Sequence, residues 1–295
     1  MTPPPGTLTI VSTSLGNRED LSPRAARALR EAELIVAEDT RSARRLLSDI
    51  GAASATTPIL SCFDANEEAR AAEIADRLRA GARVALVSEA GTPLVSDPGY
   101  RVVAAAIAAG ARVVPVPGPS AVLAALVAAG LPTDRFLFLG FPPRRSGARR
   151  RLFESVRGLP FTLVLYESPL RTAATLADLA AVLGPARRAC VARELTKPHE
   201  ELVRDQLDAL AARYAAARPL GEVTLVVAGA PDDAAREAWD DEALSREAAA
   251  LAAEGLSARD AARELAAMSG RPRREVYRLV TEAREDEDED EDGKS

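Results

Sequence analysis

The chain is 295 residues long, 47% hydrophobic and 4% aromatic, with a formal net charge of −6, and its length suits roughly two domains with sizeable cores packed mainly from Leu, Val and Ala. No stretch approaches the roughly 20 apolar residues of a membrane span, and the opening MTPPPGTL holds neither a basic nor an apolar signal region, so a soluble cytoplasmic protein with no membrane partner is expected. Cys62 and Cys190 stand far apart without CxxC spacing and His199 is the only histidine, so no metal site is expected.

Residues 7 to 12, TLTIVS, read as a strand that opens into a loop from Thr13 to Asn17. A helix follows through SPRAARALREA, with Ser22 placed to cap it and Pro23 at its first position. Strand Leu34 to Ala37 leads through Glu38-Asp39-Thr40-Arg41 into a second helix, and Ile59 to Phe63 is a short strand. The helix NEEARAAEIADRLRA stops at Gly81, before strand Val84 to Val87, helix Tyr100 to Ala109 and strand Arg112 to Val116. This alternation predicts a mostly parallel sheet covered by helices. A second α/β sheet follows helix Ser120 to Ala129. It is built from strand Arg135 to Gly140, the basic loop PPRRSGARRR, strand Phe161 to Tyr166, helix Leu170 to Leu183, and strands Arg188 to Ala192 and Glu222 to Ala228.

From Asp240 the texture is helical, in three segments: LSREAAALAAEGL, SARDAARELAAMSG and RPRREVYRLVTEA. Ser257 with Asp260 marks the start of the second and Gly270 its end, which is the pattern of a helix-turn-helix-like module. Arg273, Arg274 and Arg278 on its last helix suit phosphate contact, and equally a solvated face. The octet EDEDEDED, Glu285 to Asp292, carries −8 and leaves the remainder at about +2, so the global charge hides local basic surfaces. The expected organisation is an N-terminal α/β domain over 1–118, a C-terminal α/β domain over 119–230, a helical module over 240–284 and a disordered acidic tail over 285–295.

The stretch VALVSEAGTPLVSDPG, Val84 to Gly99, is the most informative. Gly91 and Gly99 permit close approach or positive φ while Pro93 and Pro98 stiffen the path, so the loop holds its shape by itself. Open α/β sheets bind ligands beyond the carboxyl ends of their strands. An ordinary strand-to-helix connection has the same composition, and the other loops of this kind tip the balance.

Four phrases in order, STSLGN at Ser12 to Asn17, AEDTR at Ala37 to Arg41, SEAGTPLVSDPG at Ser88 to Gly99 and VPGPSA at Val116 to Ala121, resemble the tetrapyrrole-methylase superfamily. With GFPPR, LYESPLR and RELTKPHEE, the span Gly6 to Gly229 resembles the bacterial ribosomal RNA small subunit methyltransferase I family, which also carries a C-terminal helix-turn-helix module. The resemblance implies two α/β domains with a cofactor cleft between them, S-adenosylmethionine as methyl donor, and a homodimer. It implies as acceptor a cytidine 2′-hydroxyl in the decoding region of 16S rRNA, within the 30S subunit. Cofactor contacts carry over to Ser14 and Leu15, to Glu89, Gly91, Thr92, Leu94 and Val95, to Ser120, and to Tyr166, with Ala192 and Val223 at the adenine pocket. The family pattern has ATPIGN where this chain has STSLGN, Asp where Glu89 stands and His where Leu170 stands. It also has a His-bearing stretch where SCFDANEE stands, so histidine receives no catalytic role here.

Methyl transfer to a ribose oxygen needs in-line alignment, and a nearby carboxylate can take the proton late in the step. Asp39 or Asp97 is the candidate acceptor, with Arg41 and Lys197 orienting phosphate or ribose. Glu38 and Asp39 read equally as helix-capping residues, and Glu167, Arg171, Arg193 and Glu194 suit a bracing ion-pair network. Arg144, Arg145, Arg149, Arg150 and Arg151 read as a flexible cationic arm for RNA, or as a solvated basic loop with no partner. The alternatives are a tetrapyrrole or other small-molecule methyltransferase, which shares the fold, and a noncatalytic RNA-binding ribosome-assembly protein.

Overall fold

The computed structural model describes residues 6–52, 57–231, 241–253 and 255–292. Five short apolar runs form the first sheet: β1 (Thr7–Val11), β2 (Leu34–Ala37), β3 (Ile59–Ser61), β4 (Arg83–Val87) and β5 (Arg112–Val116), in the order β3-β2-β4-β1-β5. Adjacent strands are parallel, with Thr7 opposite both Arg83 and Arg112, Leu34 opposite Val84 and Ile35 opposite Ile59. All carboxyl ends therefore share one edge, and the loops that leave it are the glycine-, proline- and carboxylate-rich phrases of the sequence.

Helices α1 (Pro23–Glu31), α2 (Thr40–Asp49), α3 (Glu67–Arg79) and α4 (Tyr100–Ala108) cover both faces. The two-residue period of β4 sorts them: Val84 and Leu86 pack with Ile74 and Leu78 of α3 and Val102 and Ala106 of α4, while Ala85 and Val87 pack with Leu29 of α1 and Ala43 and Leu47 of α2. Each fully buried aliphatic side chain of this kind contributes roughly 1.5–3 kcal/mol. The Ser22 hydroxyl accepts the Ala25 N–H at 3.1 Å and so caps α1, whose first residue is Pro23. Helix α5 (Ala121–Ala129) follows β5.

The second sheet comprises β6 (Phe136–Phe138), β7 (Thr162–Glu167), β8 (Arg188–Arg193), β9 (Glu201–Gln206) and β10 (Val223–Val227), ordered β6-β7-β10-β8-β9. Its helices are α6 (Ser146–Ser155), α7 (Thr172–Leu183) and α8 (Leu207–Ala216). The sequence patterns do not announce α6, β9 or α8. The arginine run obscures the apolar stripe of α6, and β9 alternates weakly because much of it is exposed.

The chain divides into two compact units, one of residues 1–128, 192–202 and 221–224, the other of 129–191, 203–220 and 225–295. The break falls at 128/129 where the sequence suggested 118/119, and two later segments return to the first unit. One reason is local: the Lys197 side chain packs on Gly16, where an added Cβ would stand 2.2 Å from Lys197 Cγ, and the Asn17 N–H donates to Thr196 Oγ1 at 3.2 Å.

Three helices, α9 (Asp241–Ala253), α10 (Ala258–Ser269) and α11 (Arg273–Asp292), follow. They enclose a core of Leu244, Ala248, Leu265, Val276 and Val280, all buried. The Ser257 hydroxyl accepts the Asp260 N–H at 3.2 Å, and Gly270 ends α10 in the left-handed region at φ 68°. Helix α11 continues through the acidic octet to Asp292 where the sequence suggested disorder, since extending a formed helix is far easier than nucleating one. Of the residues inside the expected boundaries, 1–5, 53–56, 240, 254 and 293–295 lie outside the described residues.

Candidate active site

In the first unit the strand-end loops are zipped together by their own polar groups. Ser12 N–H donates to the Val116 carbonyl at 3.2 Å and Thr13 N–H to the Gly91 carbonyl at 2.8 Å. The Ser12 hydroxyl donates to Thr92 Oγ1 at 3.2 Å, and the Thr92 hydroxyl donates to the Pro119 carbonyl at 2.9 Å. STSLGN, SEAGTPLVSDPG and VPGPSA thus meet at one place. Gly91 sits at φ 75°, and a Cβ there would stand 3.0 Å from Leu15 Cδ2. Leu94 and Ser96 hold φ of 72° and 67°, conformations that cost about 1–3 kcal/mol each and persist where surroundings enforce them. Val95 and Ser120 are partly buried, and the Ser120 carbonyl accepts the Ala124 N–H at the start of α5.

Beside these loops stands a group of carboxylates. Burial, then the charge of Glu38, lifts Asp97 to about 6 against a hydrogen bond from Ser88 that lowers it, and Glu89 adds to the rise. Burial, then Glu89, Asp64 and Asp39, raises Glu38 as well. Glu38, Ser88, Asp97 and Pro98 line one small recess with Cys62, whose thiol burial pushes up to about 11. Asp39 is differently employed: its Oδ1 accepts the Arg41 N–H at 2.6 Å and the Ser42 N–H at 3.4 Å, capping α2. Arg41 is exposed on the first turn of α2.

A neighbouring recess of 430 Å³ brings Ser14, Leu15, Gly16, Glu89 and Lys197 together. Lys197 Nζ lies 2.9 Å from Glu194 Oε1 and 3.2 Å from Glu222 Oε2. Burial opposes its charge, but these two carboxylates prevail and raise its pKa. Glu194 and Thr196 hold left-handed φ of 51° and 65°, so this turn too is constrained. The sequence reading missed Arg18 and Arg45, which line the same recess. It could have found Arg45, one helical turn beyond Arg41.

In the second unit Tyr166 lies near the end of β7, its ring 5.0 Å from Phe138 edge-on and 5.4 Å from Phe141. Leu170, where the family pattern has His, is exposed. The buried Glu167 pairs with Arg171 at 2.6 Å and accepts the Thr175 hydroxyl at 2.6 Å, while in the first unit Arg193 pairs with Glu201 at 3.1 Å. The Arg193 charge also helps to hold the Glu194 pKa low. Ala192 and Val223 are buried strand residues of β8 and β10.

The basic stretch requires a correction. Ser146 to Ser155 is helical, not a flexible arm, and Arg149 is buried: its Nε donates to Asp178 Oδ2 at 2.8 Å, and its other nitrogens reach the same carboxylate and the Arg144 and Ala174 carbonyls. Burial works against the Asp178 charge, yet hydrogen bonds from Arg150, Ser146 and Arg149 hold its pKa low. Arg149 therefore does not present its charge to RNA, because an inward carboxylate claims it. Arg144, Arg145, Arg150 and Arg151 remain exposed, as do Arg273, Arg274 and Arg278 on α11.

Residues 7–211 match the family of tetrapyrrole (corrin/porphyrin) methylases, and residues 237–284 match the RsmI C-terminal HTH domain. The ribosomal RNA small subunit methyltransferase I of Synechocystis sp. is 43% identical over 95% of this chain and 99% of its own length. That of Xylella fastidiosa is 45% identical over 92% and 98%. Among solved structures, uroporphyrin-III C-methyltransferase from Thermus thermophilus, in complex with S-adenosylhomocysteine, shares the fold with a TM-score of 0.54 at 22% identity, covering 75% of this chain and 97% of that one. With its strand-end loops, its two sheets and its helical module all accounted for, the chain belongs to the tetrapyrrole methylases and, within them, to the ribosomal RNA small subunit methyltransferase I family.

Proposed function

We propose that this protein transfers the methyl group of S-adenosylmethionine to the ribose 2′-oxygen of a cytidine in the decoding region of 16S rRNA, in the cytoplasm, on the 30S subunit and as a homodimer. Family membership supports the reaction and the class of substrate. The observation that carries the reading is the zipped set of loops standing beside the Glu38, Glu89 and Asp97 carboxylates. A tetrapyrrole acceptor, which the shared fold allows, leaves the helical module and its exposed arginines without a role.

The residues present fit the cofactor. The Thr13 hydroxyl is buried without a hydrogen-bond partner among the described residues, and the bare Cα of Gly91 keeps open a space beside Leu15 that a side chain would fill. Backbone groups of Ser14 and Leu15, of Glu89 to Val95 and of Ser120 would hold the cofactor, with Ala192 and Val223 lining its rings. S-adenosylmethionine supplies a methyl group already activated by its sulfonium.

Asp97, with its pKa near 6, is ionised at neutral pH and still basic enough to receive the ribose proton on a carboxylate oxygen. Asp39, committed to the α2 cap, is left a structural part. Lys197, steadied by Glu194 and Glu222, orients ribose or phosphate together with Arg41. Arg144, Arg145, Arg150, Arg151, Arg273, Arg274 and Arg278 meet the RNA backbone, contributing affinity more than choice of base. Tyr100, Ile107, Leu123 and Val127 are exposed apolar side chains on α4 and α5 and support association of two copies.

Incubation with labelled S-adenosylmethionine and 30S subunits lacking the modification tests the reading. One new 2′-O-methylcytidine near the decoding centre is expected. Cofactor binding without transfer to 30S subunits or free rRNA would overturn it.

A further inference from the structure

A cavity of 860 Å³ in the second unit is lined by Arg157, Arg187 and Arg188, together with Glu154, Pro185 and Gly229. Gly229 abuts Pro160, just before β7, and Arg188 opens β8, so the cavity lies at the opposite end of β7 from Tyr166. It is separate from every residue assigned above to the cofactor or the methyl acceptor.

Among the described residues its charges are poorly matched. Arg187 is half-buried and donates to the Leu183 carbonyl at 3.0 Å and the Ala228 carbonyl at 3.3 Å. The first bond caps the end of α7, and together they use two of the five N–H groups a guanidinium carries. Arg157 reaches its only ion-pair partner among the described residues, Glu154, at 3.8 Å, and both side chains are more than half exposed. Arg188 is exposed and has no ion pair among the described residues. Burial, then the charge of Arg157, depresses the Arg187 pKa, which shows how closely the like charges crowd. Among the described residues, three guanidinium groups thus face one recess with a single loosely held carboxylate. Gathering like charges in a partly desolvated space is unfavourable unless an anion shares it.

The arginine fork matches the oxygens of a phosphate, and the volume is far more than one phosphate fills. We infer that this cavity seats a phosphate-type oxyanion held by Arg157, Arg187 and Arg188, and that the oxyanion is a backbone phosphate of the rRNA substrate. The second half of this inference rests on the rRNA reading above. The surplus volume favours a ribose-phosphate segment over a free ion.

The test is the double variant Arg157→Gln/Arg188→Gln, which spares the Arg187 bonds to Leu183 and Ala228, with an unchanged melting temperature and S-adenosylmethionine affinity confirming the fold. Affinity for 30S subunits and 16S rRNA is measured across a salt series. A several-fold loss is expected, with the slope of log K against log[salt] falling in magnitude by about 1 to 2, one increment for each phosphate contact removed. In parallel, sodium phosphate is compared with sodium chloride at matched ionic strength. Phosphate should raise the melting temperature of the unsubstituted protein and not that of the variant. Stabilisation by phosphate with an unchanged rRNA slope assigns the seat to a free anion and overturns the rRNA contact. Neither effect overturns the site altogether. Failure of the rRNA reading would register separately, as absence of methyl transfer to 30S subunits by the unsubstituted protein.

Discussion

The buried carboxylate of Glu67, on α3, accepts the Gly99 N–H at 2.8 Å and the Arg101 N–H at 2.9 Å through the same oxygen. One side chain thereby fixes both the far end of the 88–99 loop and the first turn of α4. The turn would otherwise begin on amides with no acceptor, since Gly99 has no side chain to cap it.

Replacing Glu67 with Ala is expected to destabilise the protein by about 2–3 kcal/mol, the usual cost of losing charged hydrogen bonds at a buried site. Urea unfolding measures this, and cofactor affinity should weaken with it. Glu67→Gln retains an acceptor and should lose less. Equal stability of the Ala variant would contradict the bracing role.

Gly91→Ala tests the loop itself. An L side chain at φ 75° is strained, and its Cβ would press on Leu15 at 3.0 Å, so a stability loss of about 1–2 kcal/mol is expected. Calorimetric titration should show S-adenosylmethionine binding reduced more than tenfold while circular dichroism stays unchanged. Retained affinity would remove Gly91 from the cofactor site.

Asp97 predicts a pH profile. As the proton acceptor it must be ionised, so methyl transfer should climb as pH rises through about 6 and then level off. Asp97→Asn should lose about 10²–10⁴-fold in kcat and lack that step. The linkage to folding has the opposite sign. With the folded pKa above the ordinary 3.8, the native state binds the proton more tightly, so Asp97 weakens the fold as pH rises from 3.8 through about 6. The Asn variant should therefore be the more stable protein at pH 7 and show no advantage at pH 3.5. Glu38 and Glu89 face the same group, and Glu38→Gln should move the activity step to lower pH.

Arg149 and Arg151 differ sharply despite their spacing. Arg149→Ala removes the buried partner of Asp178, which keeps its bonds from Arg150 and Ser146, and should cost about 2–3 kcal/mol. Arg151→Ala, on the exposed side of α6, should leave stability within about 0.5 kcal/mol and reduce rRNA affinity. Chemical denaturation and filter binding separate the two outcomes.

What was legible in the sequence was local. The Ser22 and Ser257 caps, the Gly270 stop and the strand-end loops each depend on residues within a few positions of one another, and parallel pairing brings those loops to one edge. What was not legible depends on distant partners. Nothing near Arg149 points to Asp178, 29 residues later, and nothing near Glu67 points to Gly99, 32 residues later. Arg149, Arg150 and Arg151, three of the five arginines that suggested a flexible arm, lie on an α-helix whose inner face carries the buried Phe153. Asp39 and Asp97 looked alike as carboxylates after strands. Only burial and the neighbouring charges distinguish a helix cap from a group with a pKa near 6.

The return of residues 192–202 and 221–224 to the first unit sets a timetable for the ribosome that makes this chain. The five strands of the first sheet emerge early, but Gly16 has no Lys197 to lie against until most of the later sheet has been synthesised. A nascent chain halted after residue 128 should therefore hold a sheet with an unfinished rim, open to proteases at the Thr13 to Asn17 turn, and protection there should arrive only once residue 224 has cleared the exit tunnel.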